Sequence, residues 1–234
     1  MIFRQMFEPN SSTYTYLLGC QETGRAVLID PVLETAERDL EVLKSLSLNL
    51  ACTLETHIHA DHLTGAGKLK ALTGSNIAAP KLDGLSCVDH GVEEGTPFWV
   101  GSIVLHPLHT PGHTASHHAY VLERDGGSSV FTGDALLIDS CGRTDFQGGD
   151  SRILFSSVRE KLFKLPDETL VYPAHDYSGR FVSTIAQEKT RNPRLGLNKS
   201  LEDFVRIMDQ LNLPYPRQMD FAVPGNHMCG AVSA

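Results

Sequence analysis

The chain has 234 residues, of which 41% are hydrophobic and 21% are charged, and its formal net charge is −8 at pH 7. This length and composition suit one globular domain with a sizeable core, and the acidic balance argues against binding to nucleic acid or to an anionic membrane surface. The N-terminal residues lack a long apolar segment, and no stretch of about 18 apolar residues occurs, so we expect neither a signal peptide nor a membrane-spanning helix.

The first third of the chain contains segments with the composition of short strands and of helices. The predicted strands are 13–18, 26–29 and 50–56, with Gly24 in the turn between the first two. One predicted helix covers 64–72, and an earlier one has an apolar face at helical spacing, made of Ala36, Leu40, Leu43 and Leu46.

Short strands dominate the middle of the chain. They are predicted at 97–100, 103–108, 117–122 and 129–131, with a hairpin turn at 124–127. A helix over 151–163, with Phe155, Val158 and Leu162 facing inward, precedes a buried strand at 169–172. From about residue 178 the chain is predicted to be a helical C-terminal extension of a single domain spanning 1–234, in which Ser200 and Asp203 resemble a capping box.

The five cysteines are scattered and form no CxxC pair, which is typical of reduced thiols in a cytoplasmic protein. They are Cys20, Cys52, Cys87, Cys141 and Cys229. We expect Cys141 to be a buried, inert thiol and Cys229 to be exposed and open to oxidation.

The strongest chemical signal is the sequence THIHADH at residues 56–62. His57 and His59 lie two residues apart at the end of a predicted strand and therefore point to the same side. Asp61 and His62 follow as the chain turns into a helix. Imidazole and carboxylate groups suit zinc, iron and manganese, so this segment predicts a metal site rather than a polar loop.

Three more predicted strands end in a metal-competent side chain. His113 follows a strand in TPGHT, Asp134 follows another in FTGD, and His175 follows a third in YPAHD. Sites in layered α/β folds gather at such strand ends. The remaining histidines are expected to be structural or exposed, and they are His90, His106, His109, His117, His118 and His227.

These four motifs are similar to the metal-site motifs of the metallo-β-lactamase superfamily. The resemblance implies an α/β fold of the αββα type, in which two mixed sheets are flanked by helices. In hydrolases of the superfamily, such as glyoxalase II, two metals are bound. By that pattern one metal has three histidine ligands, which are His57, His59 and His113. The other metal is held by Asp61, His62 and His175, with Asp134 bridging the two.

Four segments resemble the persulfide dioxygenase family, namely CGRTDF at 141–146, YPAHDY at 172–177, NPRL at 192–195 and MDFAVPGN at 219–226. This resemblance covers nearly the whole chain and implies a single iron(II) that oxidises glutathione persulfide with O2 to sulfite and glutathione. The implied ligands are His57, His113 and Asp134, a triad that leaves three positions open. The other candidates would orient ligands and water, and they are His59, Asp61, His62 and His175. Spacing alone leaves both metal schemes open.

The family motifs also contain candidate substrate contacts. Arg143, Arg194 and Tyr177 are assigned to the carboxylates and backbone of glutathione, because an arginine carries a matching two-pronged donor set. Arg180 and Arg191 are expected to be solvated. The resemblance further suggests a homodimer, and a cytoplasmic location is expected.

Two other classes of protein were considered. A thioester hydrolase of the glyoxalase II kind would use all seven candidate metal-site residues, but that family has a longer helical domain at the C-terminus. A metal-sensing or scaffold protein that catalyses nothing would have no need of the full ligand set. Both alternatives are therefore less favoured than a dioxygenase.

Overall fold

The computed structural model describes residues 1–124 and 126–231, so that Asp125 of the predicted 124–127 turn lies outside the described residues. These residues form two compact units. The first unit consists of 1–93, 97–104 and the residues from Tyr215 onwards, and the second consists of 94–96 and 105–214. The C-terminal residues thus belong to the same unit as the N-terminal ones. The expectation of a single domain stays a prediction.

The first unit contains a mixed sheet with the strand order β1-β2-β3-β4-β5-β6. The strands are β1 (Ile2–Glu8), β2 (Thr13–Gly19), β3 (Arg25–Ile29), β4 (Asn49–Leu54), β5 (Asn76–Pro80) and β6 (His90–Val92). The first three pair antiparallel, and β3 to β6 pair parallel. Helices α1 (Ala36–Ser45) and α2 (Ala66–Thr73) form the crossovers that parallel neighbours require. The unit also holds β7 (Phe98–Val100) and α6 (Met219–Asn226).

The core of the first unit explains why these segments adopt their structure. All seven residues of β2 are buried, and Ala36 and Leu43 on the predicted face of α1 pack with Leu17 and Leu28 of the sheet. Helix α2 ends at Gly74, whose φ of 72° is the left-handed conformation that glycine adopts at least cost. The strands predicted before residue 57 and both helices are confirmed.

The second unit contains strands in the order β12-β11-β10-β9-β8. They are β8 (Ile103–His109, whose first two residues belong to the first unit), β9 (His118–Arg124), β10 (Gly127–Gly133), β11 (Leu170–Pro173) and β12 (Ser183–Thr184). Strands β10 and β11 are parallel and the other pairs antiparallel. The helices are α3 (Ser151–Glu160), α4 (Ile185–Arg191) and α5 (Leu201–Asp209).

Side chains cap the N-termini of α3, α4 and α5. At α4 the Thr184 hydroxyl accepts the backbone N–H of Gln187 at 3.1 Å. The Asp150 carboxylate accepts hydrogen bonds from the backbone N–H groups of Arg152 and Ile153, at 2.7 and 3.1 Å. The predicted capping box of Ser200 and Asp203 is confirmed at the start of α5. The predicted helix over 151–163 ends at Glu160, after which the chain forms a short 3₁₀ turn.

A disulfide joins Cys87 to Cys229, with Cα atoms 6.1 Å apart. The expectation of five reduced thiols is therefore wrong for this pair, and Cys229 is buried rather than exposed. The two cysteines are 142 residues apart, so no local spacing could reveal that the first unit brings them together. Cys20, Cys52 and Cys141 are buried free thiols. Burial raises the pKa of Cys141 to about 11, in line with an inert thiol.

Candidate metal centre

Residues 57–64 carry four of the candidate metal ligands, and we call this segment the metal-binding loop for that reason. It begins where β3 and β4 end side by side. Ile29 and Leu54 are partners in the parallel ladder, and Asp30 follows with a positive φ of 50°. The Asp30 carboxylate accepts the backbone N–H and the hydroxyl of Thr56, at 2.7 and 2.8 Å. These bonds fix the point from which the loop departs.

The contacts of Thr56 determine which nitrogen of His57 carries the proton. The Thr56 hydroxyl has a single hydrogen, which it donates to Asp30, yet its oxygen also lies 2.9 Å from His57 Nδ1. That oxygen must therefore accept a hydrogen bond from His57 Nδ1–H. In this tautomer the lone pair is on Nε2, the nitrogen that can bind a metal.

His59 occupies a different environment. Its Nε2 lies 3.3 Å from Asp30 Oδ1 and 3.4 Å from Glu55 Oε2, and all three residues are buried. Burial alone would lower the pKa of His59, but the carboxylates of Asp30 and Glu55 raise it well above its ordinary value. With carboxylates facing Nε2, the nitrogen that His59 has left for a metal is Nδ1, which is buried and has no hydrogen-bond partner in the described residues.

Asp61 and His62 form a second group in the metal-binding loop. His62 Nδ1 lies 3.0 Å from Asp61 Oδ2, and the hydroxyl of Thr13 lies 3.4 Å from both atoms. One ligand atom each from His59, Asp61 and His62 lie within 4.8 Å of one another. His62 Nε2 is buried and has no hydrogen-bond partner in residues 1–124 and 126–231. These two imidazoles and one carboxylate are groups that commonly bind a metal cation.

Asn226 holds the backbone of the metal-binding loop, a role that the sequence did not reveal. Its Oδ1 accepts the backbone N–H of Thr64, and its Nδ2 donates to the carbonyl oxygens of His59 and His62, all at 2.8 Å. Asn226 lies in the MDFAVPGN segment, whose purpose the motif alone did not indicate.

In the second unit, His113 is oriented by a backbone carbonyl. His113 Nδ1–H donates to the carbonyl oxygen of Arg143 at 2.7 Å, which again leaves the lone pair on Nε2. That nitrogen lies 3.4 Å from Asp134 Oδ2. A Cβ added to Gly142 would stand 2.8 Å from His113 Nδ1 and 2.6 Å from the Asp134 carbonyl oxygen. Only glycine fits at this approach.

Asp134 and His175 lie together because β10 and β11 are parallel neighbours. Gly133 and Pro173 are partners in the ladder, and His175 Nε2 lies 3.6 Å from Asp134 Oδ1. The backbone N–H of Asp134 donates to His117 Nε2 at 3.1 Å, so the buried His117 has a structural role, as expected. Among the described residues, no hydrogen-bond partner reaches Asp134 Oδ1, which is buried. A buried carboxylate oxygen beside an imidazole nitrogen fits a bound cation.

The three predicted substrate contacts lie in different surroundings within the second unit. The Arg143 guanidinium forms a two-pronged ion pair with Asp145, at 2.7 Å for both bonds, and lines a cavity of about 500 Å³. Arg194 donates to the Cys141 carbonyl oxygen at 3.1 Å. The Tyr177 ring is 75% exposed and stacks on His175, with ring centroids 6.0 Å apart.

Arg180 is partly exposed, with 38% of its side chain accessible, but it also forms ion pairs that the sequence did not predict. Its guanidinium donates to Asp176 Oδ1 at 3.0 Å, to Asp139 Oδ2 at 2.6 Å and to the Ile138 carbonyl oxygen at 2.9 Å. Asp176 also accepts the backbone N–H of Arg180 at 2.7 Å. Arg180 therefore fastens the segment that carries His175. Arg191 is exposed, as expected.

Within 1–124 and 126–231, the helices are all too short or too polar to cross a membrane.

Comparison with known proteins gives three findings. The family model described as the Metallo-beta-lactamase superfamily matches residues 9–175, which include all seven candidate metal-site residues. The protein named "Persulfide dioxygenase ETHE1, mitochondrial" from Bos taurus is 52% identical over 231 residues, covering 98% of this chain and 89% of the relative. The crystal structure of ETHE1 from Myxococcus xanthus matches with 50% identity and a TM-score of 0.94, covering 99% of this chain and 100% of that chain.

A third relative bears on the alternative hypothesis. A protein named "Hydroxyacylglutathione hydrolase" from Polaromonas sp. is 34% identical over 208 residues, covering 87% of this chain and 78% of the relative. Its identity to this chain is well below that of the bovine protein. The metallo-β-lactamase fold, of the α/β class with two mixed sheets flanked by helices, is thus confirmed.

Proposed function

Because the chain belongs to the persulfide dioxygenase family of the metallo-β-lactamase superfamily, we propose that it oxidises glutathione persulfide with O2 to sulfite and glutathione. The observation that carries this proposal is 52% identity sustained over 98% of the chain. Membership of this family makes the protein an enzyme. The identity of the persulfide and of the metal belongs to the proposal.

We further propose that His57, His113 and Asp134 hold a single iron(II). Two observations support this set: both histidines have the tautomer that leaves the Nε2 lone pair available, and Asp134 has a buried carboxylate oxygen without a hydrogen-bond partner in the described chain. A ferrous ion with three protein ligands would supply the electrons and the open positions that O2 and a persulfide sulfur need in order to react.

The other candidate residues would act around this metal. His59 carries the positive charge that offsets Asp30 and Glu55 beside the metal-binding loop. His175 lies against Asp134 and can orient that carboxylate. Asp61 and His62 provide polar groups that can hold water or receive a proton.

The glutathione part of the substrate would contact Arg143, Arg194 and Tyr177. The exposed Tyr177 ring beside His175 offers a flat surface for the peptide backbone. Asp145 already neutralises part of the Arg143 charge, so Arg194 is the better candidate for a glutathione carboxylate. Arg143 contributes in a second way, because its carbonyl oxygen orients His113.

A hydroxyacylglutathione hydrolase with two metals is the second candidate function. The observation that favours it is the group of His59, Asp61 and His62, whose ligand atoms lie within 4.8 Å of one another. The identity of 34% to the hydroxyacylglutathione hydrolase, against 52% to the persulfide dioxygenase, opposes it.

Oxygen distinguishes the two functions. Protein purified without added metal should contain one iron per chain, consume O2 with glutathione persulfide and release sulfite. It should stop under strict anaerobiosis and hydrolyse lactoylglutathione poorly. Rapid anaerobic hydrolysis of lactoylglutathione by protein with two metals per chain would replace the dioxygenase by the hydrolase.

Matched variants test the ligand set. His57→Ala, His113→Ala and Asp134→Ala should each lose iron and activity together, whereas His59→Ala should keep most of its iron. Equal loss of metal from His57→Ala and His59→Ala would favour the two-metal scheme. A cytoplasmic location and a homodimer stay predictions; the bovine relative is named mitochondrial.

A further inference from the structure

We propose that Asn226 positions the metal-binding loop and that the Cys87–Cys229 disulfide makes this hold depend on redox state, so that a thiol reductant lowers the affinity of the protein for its metal. The metal consequence rests on the function proposed above. The structural part, a loop that loosens on reduction, rests only on contacts within the first unit.

The side-chain amide of Asn226 makes three hydrogen bonds to the backbone of the metal-binding loop. Three backbone groups of the loop depend on one buried amide, namely the N–H of Thr64 and the carbonyls of His59 and His62. Buried backbone groups that lose such a partner become costly. Displacing Asn226 therefore destabilises the loop conformation that presents the candidate ligands.

The chain around Asn226 lies directly on the loop and on the start of α2. A Cβ on Gly225 would stand 2.5 Å from Leu63 Cδ2, and one on Gly230 would stand 2.1 Å from the Thr64 carbonyl oxygen. The backbone N–H of Gly67 donates to the Cys229 carbonyl oxygen at 2.9 Å. The segment 225–230 and the loop thus move together or separate together.

Helix α6 itself contributes little to keeping this segment in place. Of its eight residues only Ala222, Gly225 and Asn226 are buried, and Phe221 is 49% exposed. Pro224 lies inside the helix and lacks an N–H to donate. Short helices with few buried apolar contacts are among the segments of a protein that unfold locally at the lowest free-energy cost. The disulfide at Cys229 is the covalent restraint that prevents this opening.

Reduction follows ordinary thiol–disulfide exchange. A low-molecular-weight thiolate attacks Sγ of Cys87, which is half-buried, whereas Cys229 is buried. The bond between the two cysteine sulfurs breaks, a mixed disulfide forms on Cys87, and the Cys229 sulfur leaves as a thiolate that takes up a proton. A second external thiolate then attacks the external sulfur of the mixed disulfide, and the Cys87 sulfur leaves as a thiolate that takes up a proton. In total two external thiols become one disulfide, and one protein disulfide becomes two thiols.

Hydrogen exchange and metal affinity together test the proposal. Metal-free full-length protein is compared in its oxidised form and after reduction by a dithiol, which is then removed under nitrogen. The thiol state is verified by alkylation and mass spectrometry. Amides of 59–67 should exchange at least about 10-fold faster in the reduced protein, and the dissociation constant for iron(II) should rise about 10- to 100-fold.

Variants separate the disulfide from general effects of reduction. Protein with both Cys87→Ser and Cys229→Ser should match the reduced wild type and should not respond to the dithiol. Asn226→Asp, which keeps the acceptor but loses the two donors, should show fast exchange at 59–62 even when oxidised. Cys52→Ser, which removes a free buried thiol of the same unit, should respond to reduction as the wild type does.

The outcomes distinguish this proposal from the one on which it rests. Unchanged exchange and unchanged affinity after verified reduction overturn the redox device, even if the double variant fails to fold, because the wild type alone answers the question. Faster exchange on reduction in a protein that binds no iron in either form supports the loop device and contradicts the proposed iron site instead.

Discussion

Replacing Thr56 with valine would remove the hydroxyl that connects Asp30 to His57 and leave the side-chain volume almost unchanged. Thr56 is fully buried, and its hydroxyl makes two contacts, at 2.8 Å to Asp30 Oδ2 and at 2.9 Å to His57 Nδ1. The backbone N–H of Thr56 still donates to Asp30 in the variant. The perturbation is therefore confined to the group that fixes the His57 tautomer.

The size of the effect follows from what His57 loses. Without the Thr56 hydroxyl, the His57 ring, which is 2% exposed, loses the acceptor that holds its proton on Nδ1. A shift of that proton to Nε2 would remove the lone pair proposed to bind the metal. Groups that orient a metal-binding histidine typically contribute about 10- to 100-fold in metal affinity. This corresponds to roughly 1.4–2.7 kcal/mol of binding free energy.

Two controls make the Thr56 experiment specific. Thr56→Ser keeps the hydroxyl and should bind iron(II) within about 3-fold of wild type, well under the effect of losing an orienting group. Thr53 lies on β4, three residues before Thr56, is fully buried, and its Oγ1 has no hydrogen-bond partner among the residues described. Thr53→Val therefore makes the same chemical change without touching the His57 contacts and should leave metal affinity unchanged. Dissociation constants are measured by competition with a chelator under nitrogen. Wild-type affinity in Thr56→Val would refute the tautomer argument.

Three further predictions concern the second unit. Asp150→Ala should lower the free energy of unfolding by about 0.5–2 kcal/mol in urea titrations, because two N–H groups of α3 lose their acceptor, while Ser151→Ala should change little. Gly142→Ala should lose metal while keeping its far-ultraviolet circular dichroism, because the added Cβ has no room. Burial alone would raise the pKa of the Asp176 carboxyl, but hydrogen bonds from Arg180 and Ser178 lower it below its ordinary value. The ionised Asp176 therefore stabilises the fold fully above the pKa of about 4 that it has in the unfolded chain, and this contribution is lost as the pH falls through its lower pKa in the folded protein. Asp176→Asn should accordingly make Tm depend less on pH in the acid range.

The segments that sequence patterns predicted well are those with a strong periodic or buried pattern. The run of β-branched, aromatic and aliphatic residues in β2, all of them buried, and the helical spacing of apolar residues in α1 are strong signals of a strand and of a helix. Four strands were not predicted, namely β1, β5, β6 and β12. In β6 only Val92 of the three residues is buried, which gives no alternation to recognise. Helix α6 was hidden by Pro224 and Gly225, two residues with poor helix propensity.

The candidate site was predictable where chemistry is local and unpredictable where contacts are distant. The ligand types at 57–62 are adjacent in the sequence and needed no structure. Asn226 lies 162 residues from Thr64, and the partner of Cys87 is 142 residues away. The contacts of Arg180 were not predicted because its partners Asp139 and Ile138 come from another loop. No local pattern encodes such pairings.

Histidine tautomers separate the candidate ligands without reference to any relative. His57 and His113 each donate from Nδ1 to an oxygen, the Thr56 hydroxyl in one case and the Arg143 carbonyl in the other, and each therefore directs a lone pair from Nε2. His59 has two carboxylates facing its Nε2, which is the nitrogen that the other two histidines keep for a metal. If His59 bound a metal, it would do so through Nδ1, which is buried and has no hydrogen-bond partner in the described residues. The surroundings of the three rings thus leave Nε2 for a metal at His57 and His113, the two histidines that the persulfide dioxygenase motifs favour, and leave Nδ1 for it at His59.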